Sequence, residues 1–250
     1  MKTEDFPGFR CLVKDTFQQM GRAAAEVIAD ELRKKPGLLL CAATGSTPTP
    51  AYGFLTAKIK EEPGLFQSLR ILKLDEWGGL PMDDTGSCET YLQNHLIRPL
   101  KIPSARYISF QSRAEPEAEC RRIAEALHQN GPIDLCVLGL GLNGHLGFNE
   151  PADSLQPMPH RAELAPSSLQ HSMIRESKVP LEYGLTLGMA DLLQSRKILL
   201  LVNGAHKNAA MKRLFSRRIS PHFPASFLWL HPRVICICDR EAAAGIDPAV

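Results

Sequence analysis

Short apolar runs that alternate with amphipathic segments are the feature that most restricts how this chain can fold. The runs are four to six residues long, at 38–42, 70–74, 135–138, 197–202 and 234–238. Runs of this length are typical of strands buried on both faces of a sheet. Apolar residues recur at helical spacing between the runs, most clearly in 16–35 and 116–129. Helices are also predicted over 88–96 and 185–193, and the chain reads as irregular from Pro151 to about Pro180. The pattern predicts an α/β fold, Rossmann-like, with a mostly parallel sheet and helices on both faces.

Length and composition narrow the class of protein. The 250 residues, 44% of them apolar, can form a sizeable core, and no segment reads as a linker, so we expect one domain over 1–250. A net charge of +2 without a basic block argues against nucleic acid or a membrane surface as partner. The N-terminal segment MKTEDFPGFR lacks the apolar region of a signal peptide, and no apolar run is long enough for a membrane span. We therefore expect a cytoplasmic protein.

The cysteine pattern does not indicate a metal site or a disulfide framework. There are seven cysteines and no CxxC pair. Four of them lie inside apolar runs, where reduced core thiols are the expected state: Cys41, Cys136, Cys236 and Cys238.

Polar clusters follow four of the predicted strands directly. They are 44–47, 75–76, 143–150 and 206–207. Ligands of open parallel sheets bind beyond the carboxyl ends of the strands. The predicted fold would bring all four clusters to one edge, and this convergence is the main reason to expect a site there.

The segment DLCVLGLGLNGHLGFNEP (134–151) combines a buried strand with a turn that holds Asn143, His145 and Glu150. Glycines permit a tight turn, and a histidine and a glutamate held at a strand end can perform proton chemistry. A plain turn with a structural histidine is the alternative. A metal site is weakly indicated, because His145 has no second histidine two or four residues later.

Two further groups of residues are typical of a site that binds an anion. Thr44, Gly45, Ser46 and Thr47 precede a predicted helix, and Lys207 begins another. Helix N-termini attract phosphate, although helix capping and a solvated lysine are the alternatives. No Walker or dinucleotide fingerprint is present.

Asp75 follows a strand predicted to be buried. Burying an unpaired charge is costly, so we expect its carboxylate to have either a charged partner or a catalytic role. Capping, or pairing with a lysine or arginine, is the alternative to a catalytic role. An anion anchor, a carboxylate and an imidazole together suit proton transfer next to a carbonyl.

Five segments resemble the glucosamine-6-phosphate deaminase/isomerase family. LDEWGGLP, GLGLNGHLGFNEP and ATGSTPTP resemble the family as a whole, and CETYLQNHLIRPL and PASFLWLH resemble its galactosamine-6-phosphate isomerase branch. The resemblance implies conversion of an amino-sugar 6-phosphate to a ketose 6-phosphate and ammonia, without a metal or organic cofactor.

The same resemblance implies a role for each residue of the site. Asp75 would move the C2 proton, and His145 would open the sugar ring with help from Glu150 and Asn143. Residues 44–47 and Lys207 would hold the phosphate.

The chain also departs from the family. Many members have Asp in place of Asn143, and a neutral amide cannot add negative charge beside the histidine. The region 169–173 lacks the phosphate-binding arginine of many members, for which His171 or Arg175 could substitute. Differences in this loop lead us to expect no allosteric control by an amino-sugar phosphate.

Two other functions compete with this one. A sugar-lactone hydrolase of the 6-phosphogluconolactonase type shares the general fold but should carry a DGHxxSLFP-like motif. A non-enzymatic sugar-phosphate sensor would not need Asp75, His145 and Glu150 together. The sequence leaves open the choice between galactosamine and glucosamine, and whether the chain forms a homo-oligomer.

Overall fold

The strands and helices are those of a computed structural model that describes residues 8–166, 168–169, 172–174 and 181–246. The strands are β1 (Phe9–Lys14), β2 (Leu39–Ala42), β3 (Arg70–Lys73), β4 (Asp75–Trp77), β5 (Tyr107–Ile108), β6 (Leu135–Gly139), β7 (His160–Glu163), β8 (Tyr183–Thr186), β9 (Ile198–Val202) and β10 (Val234–Asp239). The α-helices are α1 (Phe17–Lys34), α2 (Thr49–Ala57), α3 (Cys88–Leu92), α4 (Pro116–Asn130), α5 (Met189–Leu193) and α6 (Asn208–Phe215). Shorter helical segments are Lys58–Lys60, Gln93–Ile97, Ser104–Arg106, Ser172–Ile174, Ala205–Lys207 and Pro224–Leu230.

The main sheet has seven strands, in the order β1-β10-β9-β6-β2-β3-β5, and all its pairs are parallel. This confirms the predicted α/β, mostly parallel architecture. The chain moves from β2 towards β3 and β5 on one side, and from β6 towards β9 and β10 on the other. The direction of winding therefore reverses between β2 and β6, which opens a crevice at their carboxyl ends.

Helices cover both faces of the main sheet, as predicted. Alternate residues of a strand point to opposite faces, and β2 divides accordingly: Leu39 and Cys41 join one core, and Leu40 and Ala42 the other. Helices α1 and α2 bury their apolar residues in the core of Leu40. Helices α4, α5 and α6 bury theirs in the core of Leu39.

A second, antiparallel sheet of β4, β8 and β7 was not predicted from the sequence. Asp75 was expected at the end of the 70–74 strand, but it begins β4, which pairs with β8 through Asp75↔Thr186 and Trp77↔Gly184. The prediction of a helix over 185–193 is wrong at its start, because 183–186 form β8 and α5 begins only after Gly188. The predicted irregular region after Pro151 contains β7.

The small sheet has an apolar centre of its own. Trp77, Leu80, Phe148 and Ala162 pack there, and the Trp77 and Phe148 rings lie 4.6 Å apart. The small sheet therefore forms a wall beside the carboxyl edge of the main sheet. None of the described helices has the length and apolar character needed to cross a membrane.

Candidate active site

A cavity of about 370 Å³ opens at the carboxyl ends of β2, β6 and β9, with the start of β4 as its fourth side. Seven of the nine predicted site residues line it: Thr44, Gly45, Ser46, Thr47, Asp75, His145 and Lys207. Asn143 and Glu150 do not line the cavity, but both contact His145. The expected convergence of strand ends is therefore present.

Asp75 is a buried carboxylate on the cavity wall, with 7% of its surface exposed. Its hydrogen bond is a weak one, from the Cys88 thiol, with Sγ 3.8 Å from Asp75 Oδ1. Burial, with a smaller contribution from the charge of Glu76, raises the pKa of Asp75 to about 7 against the opposing effects of Lys73 and Cys88. Among the described residues no lysine or arginine forms an ion pair with Asp75, so the alternative of simple charge pairing does not apply.

Glu76 explains why Lys73 does not neutralise Asp75. Neighbouring residues of a strand point to opposite sides, and Glu76 points away from the cavity into a buried site. Lys73 Nζ lies 2.6 Å from Glu76 Oε2 and 3.0 Å from Glu89 Oε2. Glu76 also accepts the backbone N–H groups of Cys88 and Glu89 at 2.9 and 2.8 Å. It thereby fixes the start of α3 against β4 and sets Cys88 beside Asp75.

His145 is held by a small hydrogen-bond network behind the cavity wall. Its Nδ1 lies 3.2 Å from Glu150 Oε2, and its backbone N–H donates to Asn143 Oδ1 at 3.2 Å. The Asn143 amide donates to the same Glu150 oxygen at 2.7 Å, and the Ser168 hydroxyl donates to the other. Gly141 makes room for the imidazole, since a Cβ there would lie 2.4 Å from the ring.

The network keeps Glu150 ionised. Burial alone would raise the pKa of Glu150, but hydrogen bonds from His145, Ser168 and Asn143, with the charge of His145, lower it to about 2. With Nδ1–H donating to Glu150, a neutral imidazole carries its lone pair on Nε2, where it can accept a proton. Asn143 orients the carboxylate as a neutral donor.

The loop after β2 offers hydroxyl groups that do not cap α2. The N-cap of α2 is Pro48, which makes no side-chain hydrogen bond, so the capping alternative fails. Thr47 Oγ1 instead donates to Asn203 Oδ1 at 2.7 Å, and Thr44 Oγ1 donates to Cys88 Sγ at 3.3 Å. Gly45 has a φ of 104°, a conformation that favours glycine.

Lys207 brings a positive charge to the cavity that the 44–47 loop also lines. It lies in the helical turn between β9 and α6, is half-buried, and burial lowers its pKa. No acidic side chain within the described ranges pairs with it. Its turn is fixed by Asp239, which accepts the Gly204 N–H at 2.9 Å, and by the Thr47–Asn203 bond. A half-buried ammonium facing hydroxyl groups suits an anion.

Two residues of the site were missed by sequence reasoning. Cys88 and Ser168 line the cavity and contact the predicted groups Asp75 and Glu150. Cys88 lies on the predicted helix after the 75–77 segment, but nothing local pairs it with Asp75. His171 and Arg175, named as replacements for a family arginine, lie outside the described residues.

Known sequences match this chain over most of its length. The family described as glucosamine-6-phosphate isomerases/6-phosphogluconolactonase matches residues 13–235. The chain is 42% identical over 223 residues to a protein of Escherichia coli (strain K12) named putative deaminase AgaI, with 89% of each chain covered. It is 37% identical over 230 residues to the glucosamine-6-phosphate deaminase of Geobacillus sp. (strain WCH70), with 90% and 91% covered.

Comparison with solved structures gives the same grouping. A structure described as a monomeric glucosamine-6-phosphate deaminase matches with a TM-score of 0.88 and 34% identity, covering 94% of this chain and 99% of that one. The 6-phosphogluconolactonase of Leishmania guyanensis matches with a TM-score of 0.77 and 20% identity, covering 95% and 98%. At that identity the second match indicates a shared fold alone.

Proposed function

We propose that this chain is an aldose–ketose isomerase and deaminase of amino-sugar 6-phosphates. It belongs to the family of glucosamine-6-phosphate isomerases and 6-phosphogluconolactonases. Galactosamine 6-phosphate is the preferred substrate and glucosamine 6-phosphate the second. The observation that carries the proposal is the buried Asp75 carboxylate, which faces the same cavity as His145, Lys207 and the 44–47 loop. The proposed reaction needs no separate cofactor or metal.

The phosphate of the sugar binds between the 44–47 loop and Lys207. The loop supplies the Ser46 hydroxyl and backbone N–H groups as donors, and the lysine supplies a charge that no described acidic group neutralises. Donors of this kind form strong, charge-assisted hydrogen bonds to phosphate oxygens. The anchor fixes the sugar so that its other end lies near Asp75 and His145.

His145 opens the ring. Its imidazole takes the proton of the O1 hydroxyl and delivers a proton to the ring oxygen, so that the C1–O5 bond breaks and the aldehyde forms. Glu150 holds the ring through Nδ1 and stabilises the transient imidazolium. Asn143 and Ser168 hold Glu150 in turn.

Asp75 then moves the proton of C2. The carboxylate removes it while O1 takes up a proton, which leaves an enolamine across C1 and C2. The proton held by Asp75 is then returned to C1, and the amino group loses the proton that balances the one gained by O1, which gives the 2-imine. Water adds to this imine and ammonia leaves, so the sum of the reaction is amino sugar plus water giving ketose plus ammonia. A pKa of about 7 suits this role, because part of Asp75 is ionised and basic near neutral pH.

The amino-sugar reaction is favoured over lactone hydrolysis by two observations. Hydrolysis of a lactone breaks no carbon–hydrogen bond and does not require a carboxylate such as Asp75. In addition, the relatives at 37% and 42% identity are named as deaminases, whereas the lactonase structure stands at 20%. The preference for galactosamine rests on the segments 88–100 and 224–231, which resemble the galactosamine branch.

The test is a comparison of substrates with the purified chain. Ammonia release is measured with galactosamine 6-phosphate and glucosamine 6-phosphate, and acid release with 6-phosphogluconolactone. We expect ammonia from both amino sugars, with the higher kcat/KM for galactosamine 6-phosphate, and no lactone hydrolysis above the spontaneous rate. Faster turnover of glucosamine 6-phosphate would overturn the substrate assignment alone, and turnover of the lactone without ammonia release would overturn the function.

A further inference from the structure

Three cysteine thiols meet at the far edge of the main sheet, apart from the active site. The Sγ atoms of Cys11, Cys236 and Cys238 all lie within 4.8 Å of one another, and those of Cys11 and Cys238 are 3.9 Å apart. All three are free thiols, and none lines the active-site cavity. They belong to the edge strand β1 and its neighbour β10.

The register of the two strands produces this cluster. Cys11 pairs with Cys236, and Cys238 lies two residues further along β10. Residues two apart on a strand share a face, as do direct partners on parallel strands. All three thiols therefore point to the same face, where Cys236 and Cys238 are fully buried and Cys11 is half-buried.

The spacing of the thiols fits a metal ion. Zinc–thiolate bonds of about 2.3 Å in a tetrahedral site place the sulfur atoms roughly 3.8 Å apart. The Cys11–Cys238 separation of 3.9 Å meets this requirement, and the 4.8 Å limit for the other pairs needs only a small rotation of a side chain. Three thiolates without an oxygen ligand select soft or borderline ions over Mg²⁺ or Ca²⁺.

We propose that Cys11, Cys236 and Cys238 form a three-thiolate site for one zinc-class ion, with the fourth coordination position at the half-exposed side of Cys11. Entry is from the side of β1, since the other two thiols have no exposed surface. The three side chains are free cysteines that lie in or pack against the apolar core, so the site adds an ion-binding function to the fold. The sequence prediction of inert core thiols would then hold for Cys41 and Cys136 and be incomplete for Cys236 and Cys238.

Cadmium is the probe, because thiolate-bound Cd²⁺ gives an ultraviolet charge-transfer absorption that histidine or carboxylate sites do not give. The reduced full chain is titrated with Cd²⁺ without oxygen. We expect the absorption to rise to a sharp end point at one ion per chain and to disappear when excess Zn²⁺ is added.

The Cys11→Ser variant should lose part of the absorption and bind at least about tenfold more weakly. The matched control is Cys120→Ser, which changes a slightly exposed cysteine on α4, outside the cluster, and should titrate like the unchanged protein.

A second measurement does not depend on the folding of a variant. The unchanged protein is treated with iodoacetamide with and without one equivalent of Cd²⁺, and alkylation at Cys11 is measured by mass spectrometry. Protection of Cys11 by at least about tenfold supports the site. The proposal is overturned if Cys11 reacts equally fast in both samples, or if a folded Cys11→Ser protein keeps the full absorption and affinity.

Discussion

The Asp75 carboxylate is buried near a second carboxylate, that of Glu76, and Lys73 lies only two residues earlier in the chain. Lys73 forms ion pairs with Glu76 and Glu89, so this lysine does not directly offset the cost of ionising Asp75. Between about pH 3.8 and 7 the native structure therefore retains a proton on Asp75 that the unfolded chain would release. This arrangement favours a base that works near neutral pH, and it should also affect stability.

Replacing Asp75 by asparagine should stabilise the protein, increasingly so at higher pH. The pKa of this carboxyl rises from 3.8 to about 7 on folding, so between these values the native state binds more protons than the unfolded state, and stability falls as pH rises. The full shift corresponds to at most about 4 kcal/mol. Urea unfolding of Asp75→Asn should show a gain of up to about 4 kcal/mol at pH 8 and less than half of that at pH 5. The matched control is Asp83→Asn, at an exposed loop position. An equal effect of Asp75→Asn at both pH values would contradict the raised pKa.

The Cys88 thiol should tune the pH dependence of catalysis. It donates to Asp75 Oδ1 and so lowers the pKa of Asp75. In Cys88→Ala the acid-side pKa of the kcat/KM profile should move up by about half a unit, the equivalent of ~0.7 kcal/mol for a weak donor. Cys88→Ser retains a donor and should keep the profile of the unchanged protein. If the alanine variant changes only the rate and leaves the profile in place, the thiol acts by packing alone.

At the scale of elements, the proposed phosphate site consists of two strand-to-helix turns that are far apart in the sequence and adjacent in the fold. The turn after β2 carries the hydroxyls, the turn after β9 carries Lys207, and the Thr47–Asn203 hydrogen bond joins them. Each turn follows an apolar strand and precedes a helix, which is why sequence reasoning could place both at the same edge. No local sequence pattern could predict the Thr47–Asn203 hydrogen bond, because it joins residues that are far apart in the chain.

Removing the charge of Lys207 should weaken substrate binding and leave the chemistry almost intact. Charged hydrogen bonds are worth about 1.5–3 kcal/mol, so Lys207→Met should raise KM by roughly ten- to a hundredfold while kcat stays within a few fold. The measurement is steady-state kinetics of ammonia release. Lys212→Met, an exposed lysine on α6, is the matched control and should leave KM unchanged. An unaltered KM in Lys207→Met would remove this residue from the phosphate site.

The small sheet marks the limit of prediction at this scale. The main-sheet strands are continuous apolar runs and could be predicted from their pattern. By contrast, β4, β7 and β8 have three or four residues each. Strand β8, which contains Gly184 and Thr186, runs directly into a segment with helical spacing. Trp77 of β4 packs against Phe148, which lies outside the small sheet, and such a tertiary contact cannot be predicted from a local pattern.

At the scale of the whole molecule, the cavity lies where the winding of the main sheet reverses and the small sheet closes one side. The main sheet positions the anion loop and the histidine turn, and β4 of the small sheet positions Asp75. Parallel topology predicted that all nine residues would meet at one edge of the sheet, and seven of them line the cavity. It could not predict that Asn143 and Glu150 would stand behind His145, which depends on the course of one turn. Nor could it predict that Cys88 would contact Asp75 and Ser168 would contact Glu150, because those contacts join separate segments of the chain.

The measurement that tests the central claim most directly is ammonia release by the Asp75→Asn variant, alongside binding of the sugar phosphate by the same protein. If Asp75 is the base at C2, turnover should fall by at least about a thousandfold. Affinity for the sugar phosphate should stay within about tenfold, because it rests mainly on the 44–47 loop and Lys207. Near-normal ammonia release by the folded variant would contradict the account.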